Sequence, residues 1–401
     1  MPSPQELLSE AQKYSSTLST IRRELHAIPE FGLELPNTQQ RILASIEGLG
    51  EITLGKSLNS IALLIRGGKP GPTVLLRADM DALAVVEESG EEFSSTNGFM
   101  HACGHDLHMA GAIGAAHLLH THREELSGNV LIWWQPGEEG HHGADVMIEE
   151  GMLEVSGSLP IAAYGIHVFT KMPLGAVASK PGPLMASAGD LLIELTGSGG
   201  HGSMPWLSRD PIAPLIEIAT TLPQLIAKRF DAFDPVIVNI GWLRAGDTAT
   251  TNVIPDSAAL GATVRTFSHR NSELLRQLVP NLVSSIASAY GVSARVEFGR
   301  ATKVVLNSPE AVEIARKVTE SMLGAGSYQT LEHPIPGGED FASILEAVGG
   351  AFLFVGACPP DLDWQEVPSN HSARAKFDDS VLPQVASLLA GFAFEQLKAS
   401  R

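Results

Sequence analysis

Apolar residues recur along this chain in short runs at 61 to 65, 73 to 76, 130 to 134 and 161 to 166, and a helical stretch from about 108 to 120 is interleaved with them. Runs this short, bounded by polar and turn residues, predict strands rather than helices. Residues 5 to 50 have helical spacing instead: Leu18, Ile21 and Leu25 fall on one face, and Leu25-His26-Ala27-Ile28-Pro29-Glu30 breaks into a loop. Strands alternating with helices predict a parallel α/β sheet. In such sheets ligands gather beyond the carboxyl ends of the strands. The polar residues of interest all lie there: Asp79 and Asp81 after Val74-Leu75-Leu76, Glu138 and Glu139 after 130 to 135, and His167 after Ala162 to Ile166.

The texture changes near residue 185. Alternating Leu191-Leu192-Ile193-Glu194-Leu195, a glycine turn holding His201, a helix from about 210 to 229, strands near 236 to 243 and 258 to 265, a helix from 271 to 290 and a strand near 293 to 298 follow in order. That β-α-β-β-α-β order predicts a ferredoxin-like unit inserted in a larger domain. The expected division is a discontinuous domain of residues 1–184 and 300–401 and an inserted one of residues 185–299.

Composition narrows the function classes. A chain of 401 residues exceeds one typical core, in line with two domains. Its net charge of −18 disfavours nucleic acid and anionic membrane surfaces as partners. The start Met1-Pro2-Ser3-Pro4 shows no signal peptide, and no apolar run approaches the roughly 18 residues that a membrane span needs. Two cysteines, Cys103 and Cys358, exclude a disulfide framework and suggest a reducing, cytoplasmic setting.

The most informative feature is the pair Glu138-Glu139, boxed in by Pro136-Gly137 and Gly140 at a strand's end. Adjacent carboxylates repel, so a fold that keeps both separates their roles or supplies a cation. His101-Ala102-Cys103-Gly104-His105-Asp106 lies upstream. Cys103 and His105 would splay on a regular helix, so Gly104 implies a loop, with a helix starting just after it. A thiolate, an imidazole and a carboxylate in one pocket suit zinc, manganese, cobalt or similar divalent cations.

Five stretches resemble the metal-dependent amidohydrolases that include aminoacylases, hippurate hydrolase, N-acetyl-diaminopimelate deacetylase and plant auxin-conjugate hydrolases. They are Arg77-Ala78-Asp79-Met80-Asp81-Ala82-Leu83, Met100-His101-Ala102-Cys103-Gly104-His105-Asp106, Gln135-Pro136-Gly137-Glu138-Glu139-Gly140, Gly199-Gly200-His201-Gly202-Ser203-Met204-Pro205 and Asn370-His371-Ser372. The resemblance implies a two-domain α/β fold: a zinc-peptidase-like catalytic domain on a mixed or parallel sheet, with the ferredoxin-like α+β insertion as a lid and dimerisation domain. It implies two divalent metal ions (Mn, Zn, Co or Ni) held by Cys103, His105, Glu139, His167 and His371, with Glu138 as general base. Asp81 would orient a ligand or the base. Asp79 stands where aminopeptidase relatives carry a ligand histidine and is not counted as a ligand.

By the same resemblance His201 stabilises the oxyanion, in many members at the partner subunit's site, and the protein is a homodimer or homotetramer. Asn252 and Arg265 are placed to bind the carboxylate of an amino-acid product, and Gly338 would let backbone approach the substrate. The chain departs from the pattern at Trp206, where histidine is common, at Ala84, where proline is common, and in the longer stretch Ala373-Arg374-Ala375-Lys376-Phe377. The expected activity is hydrolysis of a small-molecule N-acyl amino acid or related conjugate. Three rivals stand beside it: a cysteine hydrolase with Cys103 as nucleophile, an aminopeptidase or dipeptidase, and a catalytically silent metal-dependent binding protein.

Overall fold

A computed structural model describes residues 2–400. The chain divides into two compact units: Met1–Leu184, Val305–His333 and Asp340–Arg401 form the first, and Met185–Val304 with Pro334–Glu339 form the second. The segment Pro334–Glu339 thus leaves the first unit to pack with the second.

In the first unit, strands β1 (Glu51–Leu54), β2 (Ile61–Arg66), β3 (Lys69–Asp79), β4 (Ser127–Gln135) and β5 (Ala162–Phe169) join three later strands in one eight-stranded sheet. The spatial order is β1-β2-β4-β3-β5, then Gly350–Gly356, Val177–Ser179 and Tyr328–Thr330. β4, β3, β5 and Gly350–Gly356 run parallel, while β1 and β2 attach antiparallel at one edge, so the sheet is mixed. β3 has β4 on one side and β5 on the other, which opens a crevice at their carboxyl ends.

The central strands are covered on both faces, which accounts for their unbroken apolar runs. Val74, Leu76 and Ala78 share a core with Met109 and Ile113 of helix His105–Thr121 and with Val385 and Leu389 of helix Leu382–Ala399. Fully burying a Leu, Val or Phe side chain stabilises by about 1.5–3 kcal/mol, so this layer holds the site's helix firmly. The two helices approach so closely that a Cβ at Gly111 would lie 2.5 Å from Val385 Cγ1. The region read as helical from 5 to 50 is three helices, Pro4–Lys13, Ser15–His26 and Pro36–Ile46, because Pro29 and Pro36 force breaks between the second and third.

The second unit contains strands Ser187–Thr196, Val236–Ala245, Ser257–Thr266 and Ser293–Phe298 with helices Ile212–Arg229 and His269–Tyr290. Its sheet is antiparallel, ordered Val236–Ala245, Ser257–Thr266, Ser187–Thr196, Ser293–Phe298. Leu191, Ile193 and Leu195 alternate inward to meet Leu215, Ile218 and Val279 of the helices. The glycine segment around His201 is not a simple turn: Gly200–His201 pairs antiparallel with Val253–Ile254. No helix among the described residues is long and apolar enough to cross a membrane.

A buried charge cluster ties helix Ser15–His26 to the start of helix His105–Thr121. Arg22 Nε lies 2.6 Å from Asp106 Oδ2, and the His26 ring places Nδ1 2.7 Å from Asp106 Oδ2 and Nε2 3.0 Å from Glu87 Oε1. Burial alone would lower the His26 pKa, but the Asp106 and Glu87 carboxylates more than reverse this and raise it from 6.5 to about 9. A folded-state value above the unfolded one gives stability that is complete below about pH 6.5 and is lost as pH rises through about 9. Raising the pH from about 6.5 to about 9.5 should therefore destabilise the wild type more than His26→Gln, by roughly 1–3 kcal/mol. Parallel Tm-versus-pH slopes for the two proteins would show that His26 is not charged in the fold.

Candidate metal centre

Four backbone segments deliver the cluster: the turn before helix His105–Thr121, the loop after β4, the end of β5, and the Asn370-His371 loop. Gly104 permits the first. Its φ of +88° is left-handed, and a Cβ there would meet Val168 Cγ2 at 2.5 Å, so the turn can reverse tightly against β5 only with glycine. Cys103 thereby comes within 3.3 Å (Sγ to Nε2) of His167 and 3.2 Å (Sγ to Nε2) of His371, while His371 Nε2 is 3.1 Å from Glu139 Oε1. The donor atoms of Cys103, His105 and His167 lie within 4.8 Å of one another, as do those of Cys103, Glu139 and His371 and those of His105, Glu138 and Glu139. All five predicted ligands and the predicted base are thus gathered in one place.

The histidines are aimed by their other ring nitrogens. His105 Nδ1 donates to the Asp81 carbonyl at 2.8 Å and His167 Nδ1 to the Val168 carbonyl at 2.9 Å, which leaves both Nε2 lone pairs facing the cluster. Burial keeps both rings below their ordinary pKa, so they are the neutral imidazoles that a cation requires. His105 Nε2 is buried with no hydrogen-bond partner among the described residues, an arrangement that a cation would satisfy. His371 has the left-handed φ of +70°, which costs on the order of 1 kcal/mol for a non-glycine residue and turns its ring onto Cys103.

Burial pushes the Cys103 thiol well up, and the Glu139 and Glu138 carboxylates add to it. A catalytic nucleophile needs the opposite shift, which counts against the cysteine-hydrolase rival, whereas a bound cation would itself displace the thiol proton. Donor set, tautomers and orphaned nitrogen together fit a pair of divalent cations.

Asp81 is buried, and its two carboxylate oxygens accept the backbone N–H groups of Glu138 at 2.9 Å and Glu139 at 3.0 Å. It therefore fixes the carboxylate loop while its carbonyl fixes His105. The sequence alone left His108 ambiguous and assigned no role to Asn370 or Arg77. Asn370 Nδ2 donates to the carbonyls of Cys103 and Val168, and its Oδ1 accepts from Thr170 N, stapling two ligand segments together; its position beside His371 was the available signal. His108 Nδ1 donates to Asp79 at 2.6 Å and its Nε2 accepts Val168 N at 2.9 Å, so both nitrogens are used and it is withdrawn from the cluster. Arg77, buried on β3, pairs with Asp79 and Asp340.

The remaining predicted residues lie in the second unit. His201 is exposed; its Nδ1 accepts from Ser203 N at 3.1 Å, which leaves the proton on Nε2. Asn252 is its neighbour, since Gly202 N donates to the Asn252 carbonyl and Val253 pairs with His201. Arg265 already donates to the Pro336 carbonyl at 3.0 Å and to Thr263 Oγ1 at 2.6 Å. Gly338 is required by packing, because a Cβ would sit 2.6 Å from Ala188 Cβ.

The family model for peptidase family M20/M25/M40 matches residues 75–395. The chain is similar to IAA-amino acid hydrolase ILR1-like 4 of Arabidopsis thaliana, at 34% identity over all of this chain and 91% of the relative. It is similar to thermostable carboxypeptidase 1 of Saccharolobus solfataricus, at 33% identity over 94% of this chain and 95% of the relative. Among solved structures it matches a dinuclear metal-binding peptidase of the M20 family from Bacillus subtilis, with TM-score 0.82, 30% identity and coverage of 96% of this chain and 99% of that one. With these matches and a gathered set of thiol, imidazole and carboxylate donors, the chain belongs to peptidase family M20/M25/M40 as a metal-binding hydrolase of amide bonds.

Proposed function

We propose that this hydrolase cleaves the amide of N-acyl amino acids or related conjugates and releases a carboxylic acid and an amino acid. The observation that carries the reading is the gathering of two adjacent carboxylates with thiol and imidazole donors: both glutamates group with His105, Glu139 also groups with Cys103 and His371, and Asp81 holds the backbone of both. Cys103, His105, Glu139, His167 and His371 would hold two divalent cations, among Mn, Zn, Co and Ni, which when bound supply Lewis-acid activation of water and of the amide carbonyl. Glu138 takes the proton from the attacking water and returns it to the leaving nitrogen. His201 Nε2–H donates to the oxygen on which charge develops, in a homodimer to the partner subunit's substrate. Asn252 and Arg265 receive the product carboxylate, Arg265 by exchanging one of its present carbonyl contacts. The kinship to an IAA-amino acid hydrolase supports an acyl conjugate as substrate, and that to a carboxypeptidase supports a second reading, release of an amino acid from a peptide.

A screen of acetyl, benzoyl and longer acyl amino acids against short peptides, with Mn, Zn or Co restored to stripped protein, separates the two readings. Chelation should abolish hydrolysis and lower Tm, since a ligand present at about 1,000 times its Kd stabilises by roughly 4 kcal/mol. An acyl-enzyme burst, or a covalent Cys103 adduct from substrate, would overturn the metal reading.

Glu138→Gln should keep its metal and lose roughly 10²–10⁴-fold in kcat, the usual worth of a general base. Glu139→Gln should lose metal as well. Equal metal content in the two variants would refute the division of labour.

His201→Ala should lower kcat with metal content intact, because an oxyanion donor acts mainly in the transition state. Mixing it with Glu138→Gln should restore part of the activity if His201 serves the partner's site; no recovery after verified subunit exchange would confine His201 to its own chain or remove it from catalysis.

A further inference from the structure

Arg77, Gln135 and Asp340 form a buried polar node that no part of the reaction uses. Arg77 Nε donates to Gln135 Oε1 at 2.9 Å, Nη1 to Asp79 Oδ2 at 2.6 Å and Nη2 to Asp340 Oδ1 at 2.9 Å. Gln135 Nε2 in turn donates to both Asp340 oxygens at 2.8 Å, and Ala144 N donates to Asp340 Oδ2 at 3.0 Å. Arg77, Gln135 and Asp340 are each 2% exposed or less. Gln135 is the last residue of β4 and Ala144 lies in the first turn of helix Gly143–Glu149, so Asp340 grips both ends of the loop that carries Glu138 and Glu139. Asp81 grips the middle through the two glutamate amides, and the Gly143 N to Gly137 carbonyl bond closes the loop on itself.

We propose that Asp340, held by Arg77, is a positioning residue for the Glu138-Glu139 loop. Every contact of its two oxygens is a donated N–H, so the carboxylate cannot be replaced by an amide of the same shape. In Asp340→Asn one –NH2 must face either the Arg77 and Gln135 donors or the Ala144 amide, and that end of the loop is released. The inference rests on the reading of Glu138 as base and Glu139 as ligand. A displacement of about 1 Å at a catalytic group costs roughly 10²-fold, so a loop loosened at its ends, far from substrate, still affects turnover.

The test has an arm that needs no activity. In metal-free protein, Asp340→Asn should speed hydrogen exchange at the Glu138, Glu139 and Ala144 amides while strand Ile61–Arg66 keeps its protection; general weakening of the fold would move both. In the metal-loaded enzyme the variant should lower kcat roughly 10–100-fold with KM within about threefold and metal content retained. Added to Glu138→Gln, it should cost less than about twofold more, since with metal content retained the loss runs through the base, which that variant has already removed. Arg77→Lys keeps the charge but not the fork of donors, and should give the same pattern more weakly if Asp340→Asn does not fold.

Unchanged exchange at the loop amides, or a full multiplicative loss in the double variant, overturns the proposal. If Glu138→Gln alone leaves kcat intact, the base assignment fails, and the exchange measurement still decides whether Asp340 orders the loop.

Discussion

Several carboxylates are buried together at the ends of neighbouring strands, and the surrounding structure has to accommodate them. Asp79, Asp81, Glu138 and Asp340 are all buried at the ends of neighbouring segments, with Glu139 beside them. Stripping a carboxylate of water costs several kcal/mol unless a cation or several donors replace it. Arg77 pairs with Asp79 and Asp340 and backbone amides donate to Asp81, yet burial still pushes the Asp81 and Asp340 carboxyls up. Glu139 has His371 Nε2 at 3.1 Å, and Glu138 sits next to it in the same loop. Burial and neighbouring charge also push the Cys103 thiol toward its protonated form. These carboxylates and the thiol are gathered where the His105 and His167 imidazoles converge, a donor set that fits divalent cations.

The sheet supplies the geometry. β3, β4 and β5 end side by side because β4 and β5 flank β3, so residues far apart in sequence leave the sheet together. The apolar face of β3 packs on helix His105–Thr121, while Arg77 lies 5.8 Å from the Phe341 ring and Asp79, at the strand's end, meets His108 of that helix. Rigid strands fix where the loops begin, and buried carboxylates fix the loops themselves. Function is thus placed on loops that have lost most loop freedom, as preorganised catalysis requires.

Much of this could be read from the chain and some could not. The apolar runs at 61 to 65, 130 to 134 and 161 to 166 correspond to β2, β4 and β5, because strands buried on both faces must be apolar throughout. Strands Glu51–Leu54, Val177–Ser179 and Tyr328–Thr330 were invisible: three or four residues at or near an edge carry no periodic signal. The Cys103, His105 and Glu139 cluster was legible because ligand types sit at short spacing in recognisable stretches. Asp340 was not, since its partners Gln135 and Arg77 lie 205 and 263 residues away, and only packing reveals that a residue beside Gly338-Glu339 serves the loop after β4. His108 illustrates the same limit, because a histidine three residues from His105 looks like a ligand until Asp79 and Val168 N are seen to use both its nitrogens.

The pairing of Asp79 with His108 bears on the proposed thiol ligand. Burial pushes the Asp79 carboxyl up, but His105, His108 and Arg77 beside it hold it well below its ordinary pKa, and its oxygens are spent on the Arg77 and His108 donors. It faces the cluster only at a distance, 3.7 Å from His105 Nε2. The Gly104 turn brings Cys103 Sγ in against His167 and His371. In the proposed ligand set Cys103, as a thiolate, would supply the negative charge that Asp79 spends on its own donors. A cation binding there would displace the thiol proton, so occupancy of this centre should couple to proton release more steeply than in an all-histidine and carboxylate site.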